Sequence, residues 1–221
     1  MKSLITIVAL LMSLVLVTTA SATVFLYEDF ENPTVGWQTV GQINNEPGSL
    51  WHRSMHRAAG GEWSAAYNTG FPNYNYDVGV NWGLLASPWV DLSSASAVHL
   101  DFDSWLETEN WPYMADVSFV MLKLGGAMWA PIPTDVQVFP QGEWISLHAD
   151  LSALAGIPDP IRVGFLFDTV DQYSNDYEGW YVDNVRLSDG ETPPVPEPST
   201  LVLLSTGLVG VGVALRRRMF R

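Results

Sequence analysis

Residues 96–105 read SAVHLDFDSW, and apolar and polar side chains alternate along this stretch. Successive side chains of a β-strand point to opposite faces, so a period of two is typical of a strand that is buried on one face only. The face predicted to be buried carries Val98, Leu100 and Phe102, and the other face carries His99, Asp101 and Asp103. The stretch therefore predicts a half-buried strand.

Further short strands are predicted along the middle of the chain. Turns that contain glycine or proline separate them, and only 151–155 suggests a helical turn. No long amphipathic helix is predicted in this part of the sequence. The pattern favours an all-β fold, an antiparallel β-sandwich. The additional predicted strands cover 24–27, 116–124, 144–147, 161–167 and 180–187.

Composition limits the classes of function. The 221 residues include no cysteine and carry a formal net charge of −14. Five of the ten basic residues lie in the two end segments, so the middle of the chain is strongly acidic. Such a domain is a poor candidate for binding nucleic acid, whose phosphates pair with lysine and arginine. Without disulfides, it must be held together by packing, hydrogen bonds or a metal ion.

The N-terminal end has the pattern of an export signal. Lys2 precedes an apolar run over 4–17, and Ala20-Ser21-Ala22 has the small-x-small pattern that signal peptidase cleaves. We therefore predict a helical signal peptide over 1–22 and a β-sandwich domain over 23–190. An uncleaved N-terminal anchor is the alternative.

The C-terminal end has three parts. Pro196-Glu197-Pro198 ends a proline-rich stalk, an uncharged apolar run follows over 201–215, and three arginines stand at 216–218. We interpret 191–221 as a stalk and a transmembrane helix, with the arginines on the cytoplasmic side. A buried core helix is an alternative interpretation.

This three-part end resembles the PEP-CTERM sorting signal of Gram-negative bacteria, with Pro196, Glu197 and Pro198 as the sorting motif. The resemblance implies an exosortase-type membrane protease as a partner. It also implies a precursor in the inner membrane that is then delivered to the cell envelope, the surface or the extracellular matrix. A permanent anchor without processing is the alternative.

The middle of the chain resembles a second family, the MAM-like choice-of-anchor J domains of exported bacterial proteins. The resemblance implies a jelly-roll arrangement of the sandwich. Two departures are clear: the family often has Asp-Gly-Gly where Leu124-Gly125-Gly126 stands, and often Asp-Asp where Asp183-Asn184 stands. The segments that carry the resemblance are 27–31 with Gly36-Trp37, then 87–93, 142–152 and 179–185.

No recognisable catalytic group is present in the sequence. There is no G-x-S-x-G motif, and His99 and His148 stand in no catalytic setting. His52 and His56 have the spacing of a zinc helix, but Arg53 stands where such a metalloprotease carries glutamate. We therefore predict that the protein is not an enzyme. A glycan-active hydrolase that uses Glu107 or Glu109 is the less favoured alternative, because paired glycosidase carboxylates usually face each other across a cleft.

Calcium is a predicted structural cofactor. Jelly-roll modules often hold this ion near the first and last strands, so the resemblance implies acidic ligands at these places. Calcium takes six to eight oxygen ligands, and a cation would stabilise a domain that has no disulfide. Solvated surface acids that bind no ion are the alternative. The predicted ligands are Glu28, Glu31, Asp101, Asp103 and Asp183.

Two stretches mix aromatic rings with amides and acids, 71–77 and 109–113. Ring faces pack against sugar C–H groups, and amides bond sugar hydroxyls. The predicted ligand-binding residues are Tyr74, Tyr76, Trp111 and Tyr113, and the alternative is that these rings fold back onto the sandwich. Trp144 and Trp180 are predicted to be buried.

Together these features predict an exported surface or matrix protein that binds carbohydrate, exopolysaccharide in particular, or another surface protein. A structural or adhesive protein without a small ligand is the alternative.

Overall fold

The computed structural model describes residues 22–109, 116–135 and 140–190. Predictions for Trp111, Tyr113, the signal peptide up to residue 21 and the whole segment 191–221 lie outside these ranges. Within the described residues, twelve strands and one short 3-10 helix (Ser152–Leu154) are present. The strands are β1 Val24–Glu28, β2 Gln38–Ile43, β3 Glu46–Pro47, β4 Trp51–Ser54, β5 Ser64–Tyr67, β6 Asn81–Ala86, β7 His99–Glu107, β8 Val117–Leu124, β9 Ala130–Pro131, β10 Trp144–Asp150, β11 Ile161–Asp168 and β12 Gly179–Ser188.

The strands form two sheets. The first sheet has the order β10-β7-β12-β5-β4, with β1 also paired to β12, and the second has the order β3-β2-β6-β11-β8-β9. The pairs of strands within both sheets are antiparallel. The predicted all-β antiparallel sandwich is therefore confirmed.

The alternating stretch forms β7, which lies between β10 and β12 in the first sheet. Val98, Leu100 and Phe102 are buried in the core, while Asp101 and Asp103 remain partly exposed on the outer face of the sheet. The predicted division of this strand into an apolar and a polar face is therefore correct.

The core lies between the two sheets and is rich in aromatic rings. Phe165 of β11 contacts Phe102 of β7 and Trp180 of β12, with ring centroids 5.1 and 5.6 Å apart. Trp180 is fully buried, as predicted, but Trp144 is half-buried and packs on the outer face of the first sheet, against Trp105 and Tyr181. Trp144 faces outward because it alternates with Ile145 and Leu147 along β10, whose side chains pack toward the core.

The described chain enters and leaves the sandwich at one place. The Thr23 N–H donates to Asp189 Oδ1 (2.5 Å), and the Asp189 N–H donates to the Thr23 carbonyl (3.0 Å). The loops 68–80 and 169–178 flank the other end of β12, ten residues or about 30 Å away. In the described ranges, no helix is long and apolar enough to cross a membrane.

Candidate functional site

The outer face of the first sheet carries a row of polar side chains. Tyr27 of β1 pairs with Arg186 of β12, Arg186 pairs with Asp101 of β7, and Asp101 pairs with His148 of β10. Residues in register on neighbouring strands stand side by side on the same face. Antiparallel pairing thus places a phenol, a guanidinium, a carboxylate and an imidazole in one line across four strands.

A cleft of about 560 Å³ follows this row. The volume lies within the range of small-molecule binding sites. We call it the outer-face cleft. The side chains that give it its chemistry are Tyr27, Asp101, Asp103, Asp135, Ser146, His148, Asn184 and Arg186.

Hydrogen bonds fix the acids of the outer-face cleft. Ser146 Oγ donates to Asp103 Oδ1 (2.5 Å), and Asn184 Nδ2 donates to Asp103 Oδ2 (2.8 Å). The His148 Nδ1 atom lies 2.8 Å from Asp101 Oδ1, and the His148 backbone N–H donates to Asp135 Oδ1. Asp101 Oδ2 is shielded from solvent and accepts no hydrogen bond. Hydrogen bonds thereby orient the carboxylates of Asp101 and Asp103 on β7 and that of Asp135 on the loop after β9.

The cleft has a negative electrostatic character around Tyr27. Burial raises the pKa of the Tyr27 hydroxyl, the carboxylates of Asp29, Asp183 and Asp103 raise it further, and Arg186 lowers it. The Arg186 guanidinium forms no hydrogen bond or ion pair with a described residue. Tyr27 is 56% exposed as a residue, and its ring offers an apolar surface at the edge of the cleft.

The predicted calcium ligands differ in what they contact, although Asp183 pairs in register with Asp103 across β12 and β7. Asp183 is fully buried, and its carboxylate accepts hydrogen bonds from the backbone N–H groups of Ala59, Gly60 and Asn184. Glu31 Oε1 likewise accepts hydrogen bonds from two backbone N–H groups, at residues 62 and 63, and Glu28 Oε1 accepts one from residue 30.

These three acids hold backbone segments, whereas Asp101 and Asp103 belong to the outer-face cleft. Across the described ranges, no group of three or more histidines and acids is placed to hold a metal ion. The five residues therefore do not form one ligand set, and calcium binding stays a prediction.

Of the four residues predicted to bind a ligand, the structure describes Tyr74 and Tyr76. Tyr76 is fully buried, because its ring packs against Phe167 and its hydroxyl donates to Asp116 Oδ2 beside Thr108 Oγ1. The prediction that Tyr76 is a ligand-binding ring is therefore wrong. Tyr74 is half-buried, and one face of its ring stacks on His56 with centroids 3.8 Å apart. Trp111 and Tyr113 lie outside the described residues.

A second group of outer-face rings is already covered by the protein itself. The Arg57 guanidinium lies 4.0 Å from the centroid of the Trp105 ring and binds Glu178 through two hydrogen bonds of 2.6 and 2.8 Å. Tyr181 packs edge-on against Trp105, and both residues are buried. Because these rings already have partners, they are not available to stack on a ligand.

Sequence reasoning missed most of the outer-face cleft. Only Asp101 and Asp103 were predicted as site residues, and they were assigned to a metal. The alternation that exposes them also exposes Ser146 and His148 on β10, but the pairing that joins β1, β12, β7 and β10 cannot be read from one strand.

Comparisons with known proteins identify the C-terminal end of the chain. Residues 194–218 match the PEP-CTERM protein-sorting motif. The chain therefore carries this sorting motif, as predicted from Pro196, Glu197 and Pro198.

The sandwich has more distant relatives. Bacillopeptidase F of Bacillus subtilis (strain 168) is 29% identical over 163 residues, which are 73% of this chain and 10% of that protein. The chain thus spans about a tenth of the length of the curated relative it matches.

Similar solved structures include the K1 cleaved adhesin domain of Lys-gingipain from Porphyromonas gingivalis W83, with a TM-score of 0.47, 18% identity, and coverage of 76% of this chain and 99% of that chain. Another is the C-terminal family 22 carbohydrate binding module of Clostridium thermocellum Xyn10B, with a TM-score of 0.47, 13% identity, and coverage of 79% and 96%. Similarity of this size carries no inference about ligand or activity.

Proposed function

We propose that this chain is an exported, non-enzymatic β-sandwich protein that binds carbohydrate in the outer-face cleft. The observation that carries the proposal is the convergence of fixed hydrogen-bonding side chains beside an exposed ring, in a cavity of about 560 Å³. Ligand sites combine such apolar surface with a few positioned polar groups.

The chemistry of the cleft suits sugar hydroxyls. A hydroxyl both donates and accepts hydrogen bonds. The carboxylates of Asp101, Asp103 and Asp135 are acceptors, while Arg186 is a donor whose five N–H groups are not used by described residues. The Tyr27 ring supplies a flat apolar face for sugar C–H groups.

The geometry of the cleft is set before any ligand arrives. Asp103 is held by Ser146 and Asn184, and Asp101 is held by His148. Side chains already ordered by such bonds lose little conformational freedom on binding, which favours affinity.

The proposed location is supported by the C-terminal end of the chain. The PEP-CTERM motif supports export, with an exosortase-type protease acting on a membrane-anchored precursor. We place the finished protein at the surface or in the extracellular matrix of a Gram-negative bacterium, next to exopolysaccharide. Membership of the choice-of-anchor J domains is part of the same proposal and rests on the resemblance of the sequence.

A purely adhesive role is the competing proposal. Phe71 and Tyr173 are 84% and 65% exposed in the loops 68–80 and 169–178, at the end of the sandwich away from the chain termini. Exposed rings of this kind also serve as anchors in protein interfaces. Binding of a glycan by the outer-face cleft distinguishes the two roles.

The test is a glycan array followed by calorimetry with the purified full chain in mild detergent. Tyr27→Ala should weaken binding by about tenfold, or about 1.4 kcal/mol, because the stacking face is lost. Tyr173→Ala is the matched control, since it removes another exposed tyrosine, far from the cleft. Absence of glycan binding, or equal losses in both variants, would contradict the proposed function.

A further inference from the structure

We infer that the outer-face cleft selects glycans that carry free amino groups, as in deacetylated hexosamines, over neutral glycans, and that it rejects glycans that carry carboxylates. This inference rests on the proposed function, because it assumes that the cleft binds carbohydrate. It adds the charge class of the ligand, which hydroxyl chemistry alone does not decide.

The first argument is the balance of charge. Three carboxylates line the cleft, those of Asp101, Asp103 and Asp135, against one permanent cation, Arg186. His148 is the other titratable basic group of the lining. The potential at the Tyr27 hydroxyl is dominated by acids, since Asp29, Asp183 and Asp103 all raise its pKa. A carboxylate on the ligand would lose hydration and meet this negative field, whereas an ammonium would be attracted by it.

The second argument is the unused hydrogen-bonding capacity of the acids. Asp101 Oδ2 accepts no hydrogen bond, but it is shielded from solvent and so from a ligand, and the capacity that a ligand can use is that of Asp103. Asp103 accepts one hydrogen bond at each oxygen, so lone pairs remain on both. An ammonium group brings three donors, and its bonds to carboxylates are shorter and stronger than those of a neutral hydroxyl.

The third argument is the position of the one cation. Arg186 stands between Tyr27 and Asp101 in the cross-strand row, whereas Asp103 and Ser146 pair on the neighbouring row. Arg186 therefore does not occupy the side of the cleft next to Asp103, and this side remains available to the amino group of the ligand. Ligand hydroxyls would face Arg186, and a sugar ring would lie on Tyr27.

The test compares three oligosaccharides of matched length by calorimetry on the full chain: glucosamine, N-acetylglucosamine and galacturonate oligomers. The expected result is that the glucosamine oligomer binds at least about tenfold more tightly than its neutral acetylated counterpart, and that the galacturonate oligomer does not bind. Added salt should narrow the difference, because the attraction is partly screened.

Two variants separate the cleft from the general acidity of the chain. Asp103→Asn removes one cleft charge and retains an acceptor for Ser146, so it should abolish most of the preference for the amine. Asp91→Asn makes the same change of net charge at an exposed turn outside the cleft and should keep the preference. If Asp103→Asn fails to fold, as judged by circular dichroism, Asp135→Asn replaces it.

The outcomes are separable. Equal binding of the amino and acetylated oligomers overturns the inference and leaves the proposed function intact. Equal effects of Asp103→Asn and Asp91→Asn, or preference for galacturonate, also overturn the inference. If none of the three oligomers binds and the glycan array is negative as well, the proposed function itself fails.

Discussion

Asp116 is a buried carboxyl whose pKa is raised strongly by the fold. It is 8% exposed, and burial raises its pKa from 3.8 to about 6, with a further increase from Glu109, although bonds from Tyr76 and Thr108 oppose the shift. Its second oxygen, Oδ1, is buried and accepts no hydrogen bond. The folded state therefore binds a proton at Asp116 more tightly than the unfolded chain does.

This shift predicts a stability that depends on pH. Because the folded pKa lies above the unfolded value, the contribution of Asp116 is fully present below about pH 4 and is lost as the pH rises through about 6. The contribution amounts to at most about 3 kcal/mol. Urea unfolding at pH 5 and pH 7 should show a larger loss of stability in the wild type than in Asp116→Asn, which cannot ionise.

Asp91→Asn is the control for that measurement, because Asp91 is exposed and its pKa is lowered by hydrogen bonds from Ser93. It should keep the wild-type loss between pH 5 and pH 7. The same loss in Asp116→Asn as in the wild type would show that Asp116 is not the group responsible.

At the scale of elements, β6 packs closely against its neighbours at Gly83. A Cβ atom on Gly83 would lie 2.5 Å from the Tyr67 ring and 2.6 Å from Ser49 Oγ. Gly83→Ala should therefore destabilise the fold by about 1–3 kcal/mol, the usual cost of overpacking. Gly126→Ala is the matched control, since a Cβ there meets nothing within 4 Å. Chemical denaturation of both variants measures the difference, and equal stabilities would contradict this packing.

The elements that the sequence predicted are those with one buried face or a continuous apolar run. β7 alternates because one face meets the core, and β11 is apolar because it lies inside the second sheet. β5 reads Ser-Ala-Ala-Tyr and is buried at all four positions, so its sequence has no period of two. The sequence does not predict β5, because its small side chains are buried beneath larger ones from other strands, and only tertiary contacts show this.

The same limit applies to the site. Local pattern showed that Asp101 and Asp103 face outward, but Tyr27 and Arg186 join them only through pairing across more than 80 residues of sequence. The prediction for Tyr76 was wrong because its polar and aromatic neighbours in sequence indicated an exposed loop, whereas its ring fills the end of the core.

For the whole molecule, calcium is tested by thermal stability. If calcium binds only the folded protein, the free energy of unfolding should be larger in excess calcium than in EDTA. The difference should be about 2.7 kcal/mol at a hundredfold excess of calcium over its dissociation constant, and the melting temperature should rise with it. Identical melting curves would exclude a structural ion. Asp183→Ala alone does not decide the question, because it also removes the acceptor of three backbone N–H groups.

Sorting is also a property of the whole chain. Glu197→Gln removes the only charge of the Pro-Glu-Pro motif within the matched region 194–218. If the protease recognises this charge, the variant should remain in the inner membrane as an uncut precursor. Cell fractionation and intact mass of the exported protein measure this, and a variant cut like the wild type would contradict it.

The contact between Thr23 and Asp189 fixes how the protein would be presented after export. Because these two residues are hydrogen-bonded to each other, both ends of the described sandwich lie at one pole, and the 68–80 and 169–178 loops lie at the opposite pole. An attachment made through either end of the domain would therefore hold it at the same pole. The outer-face cleft, on the flank between the poles, and the loops of the far pole would both be left uncovered by such an attachment.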